Sequence, residues 1–178
     1  GDDKGLKLPP NLAPHQVVIV PIIPNENDKD PIMTVANKLN DSLSEFRVII
    51  DDRSEVSPGF KFNEWEQKGV PLRVEVGPKD IEQNSILVSR RDNGSKNSYP
   101  LDKVENTVEK LLNEIQDNLY KNSESTLKDN TTHVESFSEL IDVLNSKKGF
   151  VSCFWNENKE DELKIKEVTS ATLRCYPL

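Results

Sequence analysis

The amino-acid sequence predicts an α/β fold. A mixed, mostly parallel sheet flanked by helices is followed by a small α+β domain. Three observations carry this expectation. Residues 16–22 form an unbroken, mostly β-branched run of the kind found in strands covered on both faces. Strand-type runs then alternate with stretches of helical spacing over the first 120 residues, the pattern of a layered, largely parallel sheet. A polar segment, residues 121–132, then precedes a remainder with its own short pattern.

The first 14 residues hold Pro9, Pro10 and Pro14 and cannot form a regular helix, so they read as an extended lead-in. After the strand at 16–22, Pro31 can open a helix in which Ile32, Val35, Ala36, Leu39 and Leu43 recur at helical spacing. Residues 46–50 form a second strand. Phe60 and Trp65 sit in a short helix ended by Gly69. Residues 71–76 alternate as a third strand, broken by Gly77 and Pro78. Residues 84–90 form a fourth strand, and Asn93-Gly94 signals a hairpin that pairs residues 98–101 back as a short edge strand. A long helix follows, with Val104, Val108, Leu111, Leu112, Ile115 and Leu119 on one face. Residues 121–132 read as a hinge. Beyond it the pattern predicts a helix over 134–144, a strand over 149–154, a helix over 160–168 and a short strand over 172–176. The expected organisation is a lead-in at 1–14, a main domain at 15–120 and a small domain at 121–178. The last piece is too small for much independent stability.

Charged residues make up 30% of the chain, hydrophobic residues 34%, and the net charge is -8. An acidic body disfavours indiscriminate nucleic-acid binding, which needs a positive field, but it allows a local basic site. No apolar run is long enough to span a bilayer, so no membrane partner is expected. Two cysteines, Cys153 and Cys175, fit a reduced, cytoplasmic setting. The only histidines, His15 and His133, have no metal-ligand spacing. No Gly-rich phosphate loop follows the first strand, which leaves a nucleotide-binding enzyme without its motif. The acidic pairs Asp2-Asp3 and Asp51-Asp52 read as solvated surface charge in a chain with 31 acids.

Residues 60–103 differ from the rest. They hold eight basic residues, Lys61, Lys68, Arg73, Lys79, Arg90, Arg91, Lys96 and Lys103, against seven acids, so the segment is positive by one charge while the whole chain is strongly acidic. Phe60, Phe62, Trp65 and Tyr99 lie among them. Aromatic planes among cations can stack unpaired bases and neutralise phosphates. A carboxylate can accept from a guanine Watson–Crick edge, and Arg or Lys can donate to guanine O6 and N7. By residue type alone, an amphipathic helix that packs Trp65 inward explains the same segment.

A resemblance adds to this. The stretch Pro58-Gly59-Phe60-Lys61-Phe62-Asn63-Glu64-Trp65-Glu66-Gln67-Lys68-Gly69-Val70-Pro71-Leu72-Arg73-Val74-Glu75-Val76-Gly77-Pro78-Lys79-Asp80, continued by Val88-Ser89-Arg90-Arg91-Asp92, resembles the anticodon-binding domain of class II prolyl-tRNA synthetases of the archaeal/eukaryotic-type branch. Residues 1–22 resemble the exit from that family's catalytic core, and the resemblance covers essentially the whole chain. It implies the mixed sheet of class II synthetase anticodon-binding domains, shared with histidyl, threonyl and glycyl enzymes. It implies that Phe62 packs on a base and Glu66 accepts from a guanine edge. Arg73, Lys79 and Lys96 would donate to guanine acceptors or phosphates, with Arg90 a further contact. Each has a structural alternative: Glu66 as an intrahelical cap or ion pair, Arg73 as the polar face of a strand, Lys79 as a solvated loop lysine, Phe62 as core.

The family implies a partner, the anticodon loop of proline tRNA, and a full enzyme that joins proline to that tRNA with ATP and magnesium. It also implies a homodimer formed through a catalytic core outside this chain. No catalytic residue and no cofactor are expected within these 178 residues, which begin without Met and read as a piece of a longer chain. Many relatives carry a zinc site of four cysteines near the end. With only Cys153 and Cys175 here, zinc is not expected, and packing by Phe150, Phe154 and Trp155 is expected to replace it. The family pattern continues past Leu178 to a terminal Tyr. A free-standing paralogue serving as an accessory or protein-interaction subunit is the alternative reading; the catalytic-core lead-in counts against it.

Overall fold

The run of branched residues at 17–21 becomes the central strand of a five-stranded sheet because both of its faces find apolar cover. The structure, a computed structural model, describes residues 1–147 and 149–175. Those residues fall into two compact units that divide between Tyr120 and Lys121. In the first, β1 (Val17–Pro21) is flanked by β2 (Val48–Ile50) and β3 (Leu72–Val76), both parallel to it. β4 (Ser85–Arg90) returns antiparallel to β3, and β5 (Lys96–Pro100) antiparallel to β4. The sheet order is β2-β1-β3-β4-β5.

Alternation along the strands sorts side chains between two layers. Val17, Ile19, Leu72, Val74, Val76, Ile86 and Val88 face a large core. It is closed by α1 (Lys29–Ser42), through Ile32, Ala36 and Leu39, and by α4 (Val104–Asp129), through Val108, Leu111, Leu112 and Ile115. Val18 and Val20 face the other way, into a smaller core with Val70 and with Trp65 of α2 (Pro58–Lys68). Each fully buried aliphatic side chain contributes about 1.5–3 kcal/mol. On this second face α2 covers β1 but leaves much of β3, β4 and β5 open, and the candidate site lies there.

Local sequence sets the ends of α2. Ser57 caps it by accepting from Phe60 N–H at 3.3 Å, Pro58 occupies the first turn, and Gly69 ends it with φ +75°. A short helix absent from the sequence reading, α3 (Pro78–Glu82), follows β3; Asp80 accepts from Gly77 N–H at 2.9 Å across its first turn. α1 starts at Lys29, so Pro31 stands third rather than first; its missing N–H is an unpaired helix-start donor in either place.

Residues 121–129 of the expected hinge are helical. α4 continues unbroken to Asp129. Residues 121–129 contain neither Gly nor Pro, and their polarity marks exposure to water rather than the end of a helix. In the second unit β6 (Thr131–His133) pairs in parallel with β7 (Phe150–Ser152). Helices α5 (Phe137–Ser146) and α6 (Lys159–Thr169) bury Leu140 and Ile165 with Val134. Residues 172–175 carry no strand, and Tyr176 lies outside the described residues. The packing expected in place of zinc is also corrected. Trp155 and Cys153 pack on this core, but Phe150 is 56% and Phe154 82% exposed. Among the described residues no three His, Cys, Asp or Glu side chains converge to hold a metal, and no helix is long and apolar enough to cross a membrane.

Candidate nucleic-acid interface

The period of each element decides which charged side chains meet on the open face. Arg73 and Glu75 are two residues apart on β3 and therefore share a face, opposite Leu72, Val74 and Val76. The antiparallel register sets Ser89 of β4 beside Arg73, and Lys96 of β5 beside Ser89. Phe62 and Glu66, four residues apart on α2, sit on the same side of that helix.

Phe62, Arg73, Glu75, Ser89 and Lys96 form one connected constellation. The Arg73 guanidinium lies over the Phe62 ring, 4.1 Å from its centroid, and the Lys96 ammonium is 5.7 Å from it. Glu75 is 6% exposed and receives Arg73 Nε at 3.2 Å, Arg73 Nη2 at 3.1 Å and Lys96 Nζ at 2.9 Å. Arg73 Nη2 also reaches Ser89 Oγ at 3.3 Å. Beside this cluster runs an open groove of about 220 Å³, lined by Glu66, Arg73, Arg90, Arg91, Lys96 and Lys4 among others.

The cations along the groove are not equivalent. Arg90 donates to Asp92 at 3.0 and 2.9 Å and to Glu114 of α4 at 2.7 Å, so its guanidinium ties the end of β4 to a helix on the opposite face. The two hydrogen bonds to Asp92 also raise its pKa above the ordinary arginine value. Arg91 donates to the Glu66 carbonyl at 2.9 Å and to Asp2 at 3.0 and 2.6 Å. That pair holds the Asp2 carboxyl well below the usual carboxylate range, against a smaller opposing effect of desolvation and with help from Lys7. Lys4 reaches Glu66 at 3.5 Å.

Of the residues singled out in the sequence, Phe62, Glu66, Arg73 and Lys96 are brought together. Arg90 borders the same groove but is engaged by acids. Lys79 is exposed on α3 and does not line the groove. Sequence reasoning missed Glu75, Ser89, Arg91 and Lys4. The alternation that placed Arg73 on a polar face also placed Glu75 there, so that signal was available. Arg91 was visible only as one of the basic residues of the 60–103 segment, and Lys4 carried no signal, because its position depends on where the lead-in folds back.

Below α2 a second network sets the helix in place. Asp51 is 4% exposed and accepts from Trp65 Nε1 at 2.8 Å and from Arg53 at 2.8 and 2.7 Å, while Lys61 Nζ donates to its carbonyl at 3.0 Å. The reading of Asp51 as solvated surface charge is thereby corrected: Arg53 of the same loop pairs with it, and Trp65 and Lys61 reach it from the helix that the loop precedes. The Arg53 hydrogen bonds, opposed by burial and aided by the Trp65 N–H, hold the Asp51 carboxyl down at about 2.

The anticodon binding domain family model matches residues 16–111, just over half of the chain. The chain belongs to the anticodon-binding domain family. Its end, residues 137–178, matches a second family model, the C-terminal region of prolyl-tRNA synthetase. A proline–tRNA ligase of Alkaliphilus oremlandii is 45% identical over 178 residues, covering 99% of this chain and 36% of the relative. One from Roseiflexus sp. is 44% identical over 181 residues, covering 99% and 37%. The prolyl-tRNA synthetase of Cryptosporidium parvum, solved with L-proline and AMP, superposes with a TM-score of 0.88 at 41% identity, covering 96% of this chain and 37% of that one. The anticodon-binding domain and the residues after it thus span little more than a third of the length of the curated relatives they match. In this anticodon-binding domain the open face of β3–β5 beside α2 gathers the aromatic, carboxylate and basic groups described above.

Proposed function

We propose that this chain reads the anticodon of proline tRNA on behalf of a proline–tRNA ligase. The observation that carries the reading is the constellation on the open sheet face. Arg73 stacked on Phe62 offers a flat cationic surface for an unpaired base. Lys96 lies beside it, and Glu66 is an acceptor on the adjoining helix. The proline anticodon has two adjacent guanines, and this donor–acceptor set fits their edges: Glu66 accepts from guanine N–H groups, and Arg73 and Lys96 donate to O6 and N7. Lys79, apart from the groove, serves as a phosphate contact, which positions the RNA without reading it. Arg90 acts through the fold.

The whole protein joins proline to its tRNA in the cytoplasm with ATP and magnesium, in the part of the relatives' length that lies outside the match, and pairs as a homodimer through that part. The described residues of this chain hold no catalytic role in that scheme. Residues 15–120 act as the reading domain and 121–178 as an appended domain without zinc.

The test is a titration of the full-length protein with a proline anticodon stem-loop and with the same stem-loop carrying adenines in place of both guanines, for wild type and Glu66→Ala. Wild type should prefer the proline loop, and loss of a good base-edge contact should reduce that preference by about 1–3 kcal/mol. Equal affinity of the wild type for both loops would overturn the reading.

A further inference from the structure

Glu75 is a buried carboxylate shared by two cations from different strands. Its side chain is 7% exposed, while that of Arg73 is 18% and that of Lys96 43% exposed. One carboxylate oxygen accepts both Arg73 hydrogen bonds and stands 3.4 Å from Ser89 Oγ; the other accepts from Lys96. β3 and β5 are not adjacent, since β4 runs between them. Glu75 therefore sets the distance between the two cations across an intervening strand.

Three physical consequences follow. A nearly buried carboxylate is costly without partners, so Arg73 and Lys96 compensate it, and it in turn screens their mutual repulsion. The bonds to Glu75 fix the guanidinium plane over Phe62, which leaves rotamer entropy lower before any RNA arrives. Among the three groups the net charge is one positive unit rather than two. A phosphate attracts any free cation regardless of sequence, whereas a base edge rewards a donor at a fixed place. A counter-ion at Glu75 lowers the first attraction and preserves the second, because Arg73 Nη1 makes no hydrogen bond within the described residues.

We infer that Glu75 is a specificity-determining positioning residue, an internal counter-ion that spaces Arg73 and Lys96 for base edges and withholds their charge from phosphates. The inference rests on the RNA-reading function proposed above.

The experiment uses the full-length protein, the proline anticodon stem-loop and its double-adenine counterpart, each titrated over a range of salt concentrations. Glu75→Gln should bind the altered loop more tightly at low salt and cut discrimination about tenfold, while the slope of log affinity against log salt steepens by about 0.7, the equivalent of one added phosphate contact. Glu75→Asp keeps the charge but shortens the arm; it should lose discrimination with the wild-type salt slope, and it serves as the deciding variant if Glu75→Gln does not fold. Unchanged discrimination and slope in Glu75→Gln, or full discrimination in Glu75→Asp, would overturn the inference and leave the function standing. Absence of discrimination in the wild type would instead overturn the function itself.

Discussion

Arg91 and Asp2, 89 positions apart in the sequence, form a paired hydrogen bond at 3.0 and 2.6 Å. The contact ties the first residues of the chain to the end of β4, and the same arginine holds the Glu66 carbonyl on α2. Leu6 N–H and Leu8 N–H add hydrogen bonds to the carbonyls of Gln67 and Gly69. The lead-in is thus a strap over the C-terminal end of α2, and it delivers Lys4 to the groove.

That strap needs Gly5, whose φ is +131° and where a β-carbon would stand 2.6 Å from the Gln67 carbonyl oxygen. Gly5→Ala should release residues 1–8 from α2 while the sheet stays folded. Hydrogen exchange should show faster exchange at Leu6 and Leu8 with unchanged protection in β1 and β3. Protection that persists at Leu6 would show that the strap tolerates the side chain.

The Asp51 network predicts an acid limit. Its carboxyl titrates at about 2 in the folded protein and near 4 when unfolded. A depressed folded-state value stabilises above the unfolded value and is lost as pH falls through the folded one. About 2 kcal/mol should therefore be present above pH ~5 and disappear between pH ~4 and ~2. Urea melts of wild type and Asp51→Asn against pH check this: the variant should lack that part of the acid dependence. At neutral pH Asp51→Ala should lose about 3 kcal/mol, because Trp65 N–H and Arg53 lose their carboxylate acceptor and the buried Lys61 ammonium, which keeps its hydrogen bond to the residue 51 carbonyl, loses the nearby negative charge.

Arg73 and Lys79 should separate by the kind of contact each makes. Arg73→Ala should weaken the proline stem-loop by about 1–3 kcal/mol and relax discrimination at one guanine. Lys79→Ala should weaken both loops alike and make the salt slope shallower by about 0.7. A loss of discrimination in Lys79→Ala would move it from a phosphate contact to a base contact.

Arg90 should behave as structure. Arg90→Ala strands Asp92, which is almost fully buried, without its charged partner, and should cost about 3 kcal/mol in urea unfolding. The ratio of affinities for the two loops should stay at the wild-type value. A lower ratio in a folded Arg90→Ala would place its guanidinium in contact with RNA.

Much of the fold was legible because period and punctuation are local. The branched run at 17–21, the helical spacing of Ile32, Ala36 and Leu39, and Ser57, Pro58 and Gly69 at the ends of α2 all express backbone and burial preferences within a few residues. The same logic misled at residues 121–129. There the apolar pattern stopped, and α4 did not, because a helix without Gly or Pro ends where its backbone runs out of support rather than where its buried face ends.

By itself the sequence determined the layered α/β architecture, from the order of strand and helix patterns, and the polar face of β3 that carries Arg73 and the shared helix face of Phe62 and Glu66, from spacing along one element. Tertiary structure alone decided that Lys96 reaches Glu75, that Arg90 turns to α4 while Arg91 takes Asp2, and that Asp51 is buried under Trp65. Those choices depend on strand register, on where the lead-in folds back and on which charge finds a partner once water is excluded. Such contacts join residues 14 to 89 positions apart, and no local preference encodes them.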